Sequence, residues 1–282
     1  MNTAVREVPQ PGTLEEVRPQ RLLWQRTANW ALPLGALAAL IALWQLLAAV
    51  FSVPAYLLPP PSTILSELLR NWHAYFSDTV ITGIEVIVGF VISVAIGVPT
   101  AILLAYSKVF ARSVYPLIVT SQTVPKVALA PLFVVWFGFG MVPKVGVAVL
   151  IAFFPIVIAS VVGFRSVPDE MLQLVRSMGA GRIETFRRVI LPYALPSIFS
   201  GMKVASTLAV IGAVVAEFIG ANGGLGYIIM TAQMNVNVTE EFTGILILSL
   251  MGIVFFALLS ALERVALPWH TSVRREDLAT LS

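Results

Sequence analysis

The stretch "VPDEMLQLVRSMGAGRIETFRRVILPYALP", Val167 to Pro196, is where the reading of this chain turns. Asp169, Glu170, Arg176, Arg182, Glu184, Arg187 and Arg188 crowd into it, with Arg165 just before, in a chain that is 58% hydrophobic and 12% charged. Local physics makes it two short helices. Ser166 and Asp169 have the spacing of a capping box, and proline is tolerated in a first turn. The first helix is expected from about Pro168 to Met178, with Met171, Leu172, Leu174 and Val175 as an apolar face. Gly179 and Gly181 allow the positive backbone dihedral that ends a helix and reverses the chain. The second helix is expected from about Arg182 to Leu191, with Ile183, Phe186 and Val189 on one side, and Pro192 ends it.

The surroundings of this insert are apolar. A soluble domain carries about a quarter charged residues; this chain of 282 residues has half that and a mean hydropathy of +0.89. It therefore reads as a membrane protein. It has no cysteine, so neither a disulfide framework nor a thiolate metal site is available. Its two histidines, His73 and His270, are far apart and without ligand-spaced partners. Residues 1–29 mix Arg6, Glu7, Glu15, Glu16, Arg18, Arg21 and Arg26 with Pro9, Pro11 and Pro19 and lack an apolar core. They read as a polar, partly disordered cytoplasmic arm rather than a signal peptide.

A helix needs roughly twenty apolar residues to cross the hydrocarbon. Six segments are expected to do so: Trp30–Phe51, Val80–Tyr106, Val114–Phe137, Val145–Phe164, Ser197–Ile219 and Phe242–Leu267. The third is interrupted by Ser121, Gln122, Thr123, Pro125, Lys126 and Pro131, as helices lining a pathway can be. An even number of spans puts both termini on one side. With the termini inside, cytoplasmic segments hold Arg6, Arg18, Arg21, Arg26, Lys108, Arg112, Arg165, Arg176, Arg182, Arg187, Arg188, Arg264, Arg274 and Arg275. Only Arg70 and Lys144 then fall clearly outside, and the retention of basic residues in the cytoplasm sets the orientation. The outer side then carries the amphipathic segment Val53–Phe76, anchored by Trp72, and the glycine-rich loop Gly220–Glu241. No internal repeat stands out.

On the residues alone the insert has two readings. A helix, glycine turn and helix with a small apolar ridge can enter a groove on another protein. An amphipathic loop could instead lie on the membrane surface with Arg187 and Arg188 on headgroups.

The run "QLVRSMGAGRIETFRRVILP" resembles the cytoplasmic loop signature of ABC importer permeases: Glu-Ala-Ala, three residues, Gly, nine residues, Ile-x-Leu-Pro. Gly179, Val189, Leu191 and Pro192 stand at the glycine, isoleucine, leucine and proline positions, and Phe186 matches a frequent aromatic. Gln173, Leu174 and Val175 replace the Glu-Ala-Ala triplet but keep good or adequate helix formers. "TVPKVALAPLFVVWFGFG" (Thr123–Gly140), "AEFIGANGGLGYII" (Ala216–Ile229) and "LERVALPWH" (Leu262–His270) resemble the nitrate, sulfonate, taurine and pyrimidine-precursor branch. The resemblance runs from about Trp30 to His270.

It implies an all-α, six-span type I importer permease in a bacterial inner membrane. A permease domain would cover residues 30–270, with a coupling loop at 165–196, and residues 271–282 would form a cytoplasmic tail. It implies a homodimer, two separate ATP-binding cassette ATPase subunits, a periplasmic or lipid-anchored substrate-binding protein, surrounding lipid, and no nucleic acid. ATP and magnesium would sit on the ATPases, and this chain would hold no cofactor. Accordingly it has no G-x-x-x-x-G-K-[ST] phosphate loop, and "GANGGLG" is followed by no lysine. The residues implied to couple to the ATPase through residues 168–192 are Asp169, Glu170, Gln173, Leu174, Val175, Gly179, Ala180, Phe186, Leu191 and Pro192. Catalytic and metal-binding residues are not expected.

Lys126 is the costliest residue in a span, and such a lysine faces a cavity, an ion path or a partner. With Gln122 and Glu217 it is a candidate for the translocation pathway of a small anionic or polar solute. The alternative is a structural lysine, and Glu85 or Glu217 could pair with it or cap a helix. A different class of transporter, driven by an ion gradient, would use Glu85, Lys126 and Glu217 as coupling charges.

Overall fold

The computed structural model describes residues 19–220 and 222–269, and every regular element among them is helical. In chain order these are α1 (Pro19–Val50), α2 (Pro61–Arg70), α3 (Trp72–Tyr106), α4 (Lys108–Ser121), α5 (Ala130–Phe137), α6 (Met141–Arg165), α7 (Asp169–Ser177), α8 (Arg182–Thr185), α9 (Leu191–Gly220), α10 (Leu225–Met234) and α11 (Val238–Ala266). A 3₁₀ turn, Lys126–Leu129, leads into α5, and a π turn, Phe186–Ile190, joins α8 to α9. Contacts divide the chain into two units. The first comprises, among described residues, α1 up to Ile41; Ala42–His270 form the second. Because α1 opens at Pro19, the helix takes in part of the stretch expected as a polar arm. The remainder of that arm and the tail lie outside the described residues.

Among the described residues, five helical segments are long and apolar enough to cross a membrane: Ala31–Val50, Trp72–Tyr106, Met141–Arg165, Arg182–Gly220 and Val238–Ala266. The expected third span is not one rod. Lys108–Ser121 and Lys126–Phe137 meet at 88°, the geometry of a broken span or of a re-entrant loop. The break has a local cause. Pro125 has no N–H to continue the ladder, and the Ser121 and Thr123 hydroxyls donate to the carbonyls of Ile118 (2.8 Å) and Thr120 (2.7 Å).

The run Arg182–Gly220 departs from expectation in the opposite sense, because Pro192 does not end a helix. The π turn just before it closes with the Leu191 N–H on the Phe186 carbonyl, five residues back. Such a widened turn relaxes the contact between a proline ring and the preceding carbonyls, and the chain continues into the membrane.

Lipid tails are as apolar as leucine, so burying greasy surface gives little drive for helix association; close van der Waals packing does that work. The sequence supplies it with small residues. Gly201, Ala205, Ala209 and Ala213 recur every fourth residue along α9 and are buried, opposite Ala148, Ala152 and Ile156 of α6. The backbones approach until a Cβ on Gly212 would stand 2.7 Å from the Ala148 Cα. On the other flank of α6, Gly89 and Gly97 of α3 face Ala148 and Ile156. α6 is thus clasped between α3 and α9. α11 closes on this core through the edge-to-face pair Phe90–Phe255 (5.1 Å) and the ion pair Lys203–Glu263 (2.7 Å).

This packing makes Gly212 intolerant of a single methyl. Gly212→Ala gains about 1 kcal/mol of helix propensity but should lose about 1–3 kcal/mol to overpacking against backbone that cannot yield. Gly252→Ala in α11, with open space around it, should be neutral or stabilising. Melting in detergent followed by size-exclusion chromatography distinguishes them. Equal midpoints would show that α6 and α9 can separate without cost.

Candidate functional site

The charged insert folds into an elbow at one end of the bundle. α7 carries Asp169 and Glu170 in its first turn and Arg176 in its last, each complementing the helix dipole. The capping box does not form. Ser166 Oγ donates instead to the Gly163 carbonyl (2.8 Å) at the close of α6, and α7 starts after Pro168 without a side-chain cap.

The C-terminus of α7 is built as expected. Gly179 has φ +82°, its N–H donates to the Arg176 carbonyl (3.0 Å), and the Ala180 N–H reaches the Val175 carbonyl (3.3 Å). That is a complete Schellman closure. Gly181 turns out to need no special dihedral, with φ −70°.

The apolar residues of the elbow split into two faces. Leu172, Phe186, Val189 and Leu191 pack inward on a core shared by α3, α4, α6 and α9. The Phe186 ring lies 5.8 Å from Tyr106 and 6.0 Å from Phe164. Met171, Leu174, Met178 and Ile183 point the other way, 41 to 78% exposed, as a ridge at helical spacing. Of the residues assigned to ATPase contact, Asp169, Glu170, Gln173, Leu174 and Gly179 are exposed, while Val175 and Ala180 are half-buried. Phe186, Leu191 and Pro192 belong to the anchor, because the segment that carries them is the root of a span. Arg165 braces the same end, donating to the Leu104 carbonyl at 3.0 Å.

The second assembly is the break between α4 and α5. Gln122, Thr123, Val124 and Pro125 are exposed there, and Lys126 is half-buried. The Lys126 ammonium stands 4.5 Å from the centroid of Phe154 and 3.4 Å from the Gln122 carbonyl. Phe154 is at the middle of α6, so Gln122 and Lys126 come together near mid-depth.

The third assembly lies at the end of the bundle away from the elbow. Three successive backbone N–H groups at the start of α10 are taken by side chains. Gly224 donates to Asp78 (2.6 Å), Leu225 to the Thr82 hydroxyl (2.8 Å) and Gly226 to Glu217 (2.6 Å). The Thr82 hydroxyl in turn donates to Glu217 (2.7 Å). A helix leaves its first N–H groups unpaired, and this clamp satisfies three of them within the protein. A side chain on Gly224 or Gly226 would collide with Glu217, which accounts for the glycines of the loop. Glu217, 1% exposed, meets neither Gln122 nor Lys126.

Residues 93–269 match the family of binding-protein-dependent transport system inner membrane components. The chain belongs to that family. The formylaminopyrimidine transport permease protein ThiX of Halalkalibacterium halodurans is 38% identical over 232 residues, 82% of this chain and 92% of that one. The putative aliphatic sulfonates transport permease protein SsuC of Bacillus subtilis is 33% identical, over 86% of this chain and 89% of that one. Among solved structures, the inward-facing MetNI methionine ABC transporter matches with a TM-score of 0.58 at 20% identity, over 71% of this chain and 97% of that one. The fold is therefore that of a type I ABC importer permease, and the chain is a multi-pass transport subunit.

One feature of this permease was not legible in its sequence. Lys144, expected outside, is buried in the first turn of α6 and bonds Glu85 of α3 at 2.6 Å. A carboxylate within a long apolar run signals that a cation must be near, but nothing local says that the partner is 59 residues away. Removing one member of a buried pair costs about 3–5 kcal/mol, whereas removing both can be nearly neutral. Lys144→Met should therefore severely reduce folded permease in membranes, and Glu85→Leu added to it should restore most of the yield. A double variant no better than the single one would mean that Lys144 acts through something other than Glu85.

Proposed function

We propose that this permease is the membrane half of an ATP-driven importer. Two copies enclose the pathway, one ATPase subunit grips each elbow from the cytoplasm, and a substrate-binding protein delivers a small polar solute from the other side. ATP and magnesium act on the ATPase. The termini lie in the cytoplasm, the side on which Lys108, Arg112, Arg165, Arg176, Arg182, Arg187 and Arg188 would be retained.

The observation that carries this reading is the two-faced elbow. Its exposed ridge of Met171, Leu174, Met178 and Ile183 is shaped for a groove on a partner. Its inner face rests on a core that contains Ala101 and Leu104 of α3, Ile118 of α4, Phe164 of α6 and Ala194 of α9. A pull on the ridge is thus delivered to four helices at once. If the ridge contacts the ATPase differently in its open and closed states, the elbow biases which way the pathway faces. Asp169, Glu170, Gln173 and the turn Gly179–Ala180 present the ridge; Phe186, Leu191 and Pro192 transmit the motion inward.

The pathway follows the broken helix, with Gln122 and Lys126 at its midpoint, since irregular backbone at membrane depth belongs where it lines a cavity. Glu217 serves the clamp on α10 instead. The relatives transport formylaminopyrimidine and aliphatic sulfonates by name, which fits a small organic solute here.

Two variants test the coupling. Gly179→Val forces a β-branched residue into φ +82° and should uncouple ATP hydrolysis from uptake while insertion persists. Leu174→Glu places a charge on the ridge and should release the ATPase during co-purification. Normal uptake by the first, or full ATPase retention by the second, would remove the elbow from its coupling role.

A further inference from the structure

Chain-wide there are four lysines, and three of them, Lys126, Lys144 and Lys203, lie within the helix bundle. Lys144 is paired with Glu85 at 2.6 Å and Lys203 with Glu263 at 2.7 Å. Lys126 has no carboxylate partner among the described residues; its neighbours are the face of Phe154 and one long contact to the Gln122 carbonyl. An ammonium at membrane depth is costly and is ordinarily compensated by a negative charge. A ring face offsets only part of that cost.

Snorkelling does not resolve it. Phe154 lies eleven residues from the nearer end of α6, which at the helical rise is roughly 16 Å. The four-carbon stem of lysine cannot bring its charge to the interface from there.

We propose that the missing negative charge is the solute itself: Lys126 is the specificity residue of the pathway, and it recognises a carboxylate or sulfonate oxyanion as it passes the break. This rests on the importer reading above, in which the broken helix lines the pathway. Gln122, exposed at the same break four residues before Lys126, would offer its amide to the same oxyanion. Phe154 holds the ammonium between transport events. Because it competes with the anion, it keeps binding weak enough for release, as conduction through a pathway requires.

The test uses the full-length permease assembled with its ATPase in lipid nanodiscs and methylated with ¹³C at its lysines. Methanesulfonate is the anionic probe and dimethyl sulfone its neutral counterpart. Lys126→Arg, which keeps the charge, identifies the Lys126 resonance by its disappearance. That resonance should shift saturably with methanesulfonate and need about tenfold more dimethyl sulfone for the same change, the discrimination expected of one hydrogen bond to a charged group. The Lys144 and Lys203 signals should stay fixed. Equal responses to the two probes, or none to methanesulfonate, would overturn the proposal. Assembly with the ATPase is scored separately by size-exclusion chromatography. Its failure would count against the importer reading while the titration still reports on Lys126.

Discussion

Hydrocarbon offers a polar group no hydrogen-bond partner, so each one that enters the bundle must find its complement within the protein. Much of this permease follows from that constraint. The start of α10 stays inside the bundle because Asp78, Thr82 and Glu217 take its first N–H groups. Lys144 and Lys203 are tolerated because Glu85 and Glu263 meet them. The end of α3 is closed by a guanidinium from α6, Arg165 on the Leu104 carbonyl. Each device ties together helices far apart in sequence, so satisfying the polar groups also specifies which helices are neighbours.

The elements that the sequence announces are those with local causes. Gly179 ends α7 because its φ and the two closing hydrogen bonds depend on residues within one turn. The apolar runs read as spans because length and composition suffice. Pro125 and its hydroxyl neighbours mark an interruption, although the angle of 88° depends on how α5 then packs against α6. What stayed hidden was non-local. Phe186 reads as a docking residue until Tyr106 and Phe164 are seen around it. Pro192 reads as a stop because a π turn that accommodates a proline has no sequence signature of its own. Glu217 reads equally as a pathway carboxylate or a helix cap until the Gly226 N–H at the start of α10 is seen on it.

The site shows the same division. The exposed half of the elbow was legible from helical periodicity, since Met171, Leu174 and Met178 recur on one face. Its inner half was not, because Leu172 and Val175 sit among the same apolar residues and only packing assigns them a direction. Lys126 stood out on cost alone. Its meaning changed once Lys144 and Lys203 proved to be paired, which requires contacts across 59 and 60 residues.

Rigidity and flexibility are therefore unevenly distributed, in a way that suits a device moved from one end. Backbone contact between α6 and α9, with Gly212 against Ala148, leaves no room for small adjustments, so those helices move as a body. The elbow is rooted in that body through the core around Phe164 and Phe186. The α4–α5 break has no such packing: Gln122 through Pro125 are exposed, and Lys126 is held by a ring face and one long hydrogen bond. On the proposed coupling, a displacement imposed at the elbow would pass through the stiff pair with little loss and be taken up where the chain is already broken. That is also where the uncompensated charge stands, so the proposed motion and the proposed recognition of solute would converge on one short segment.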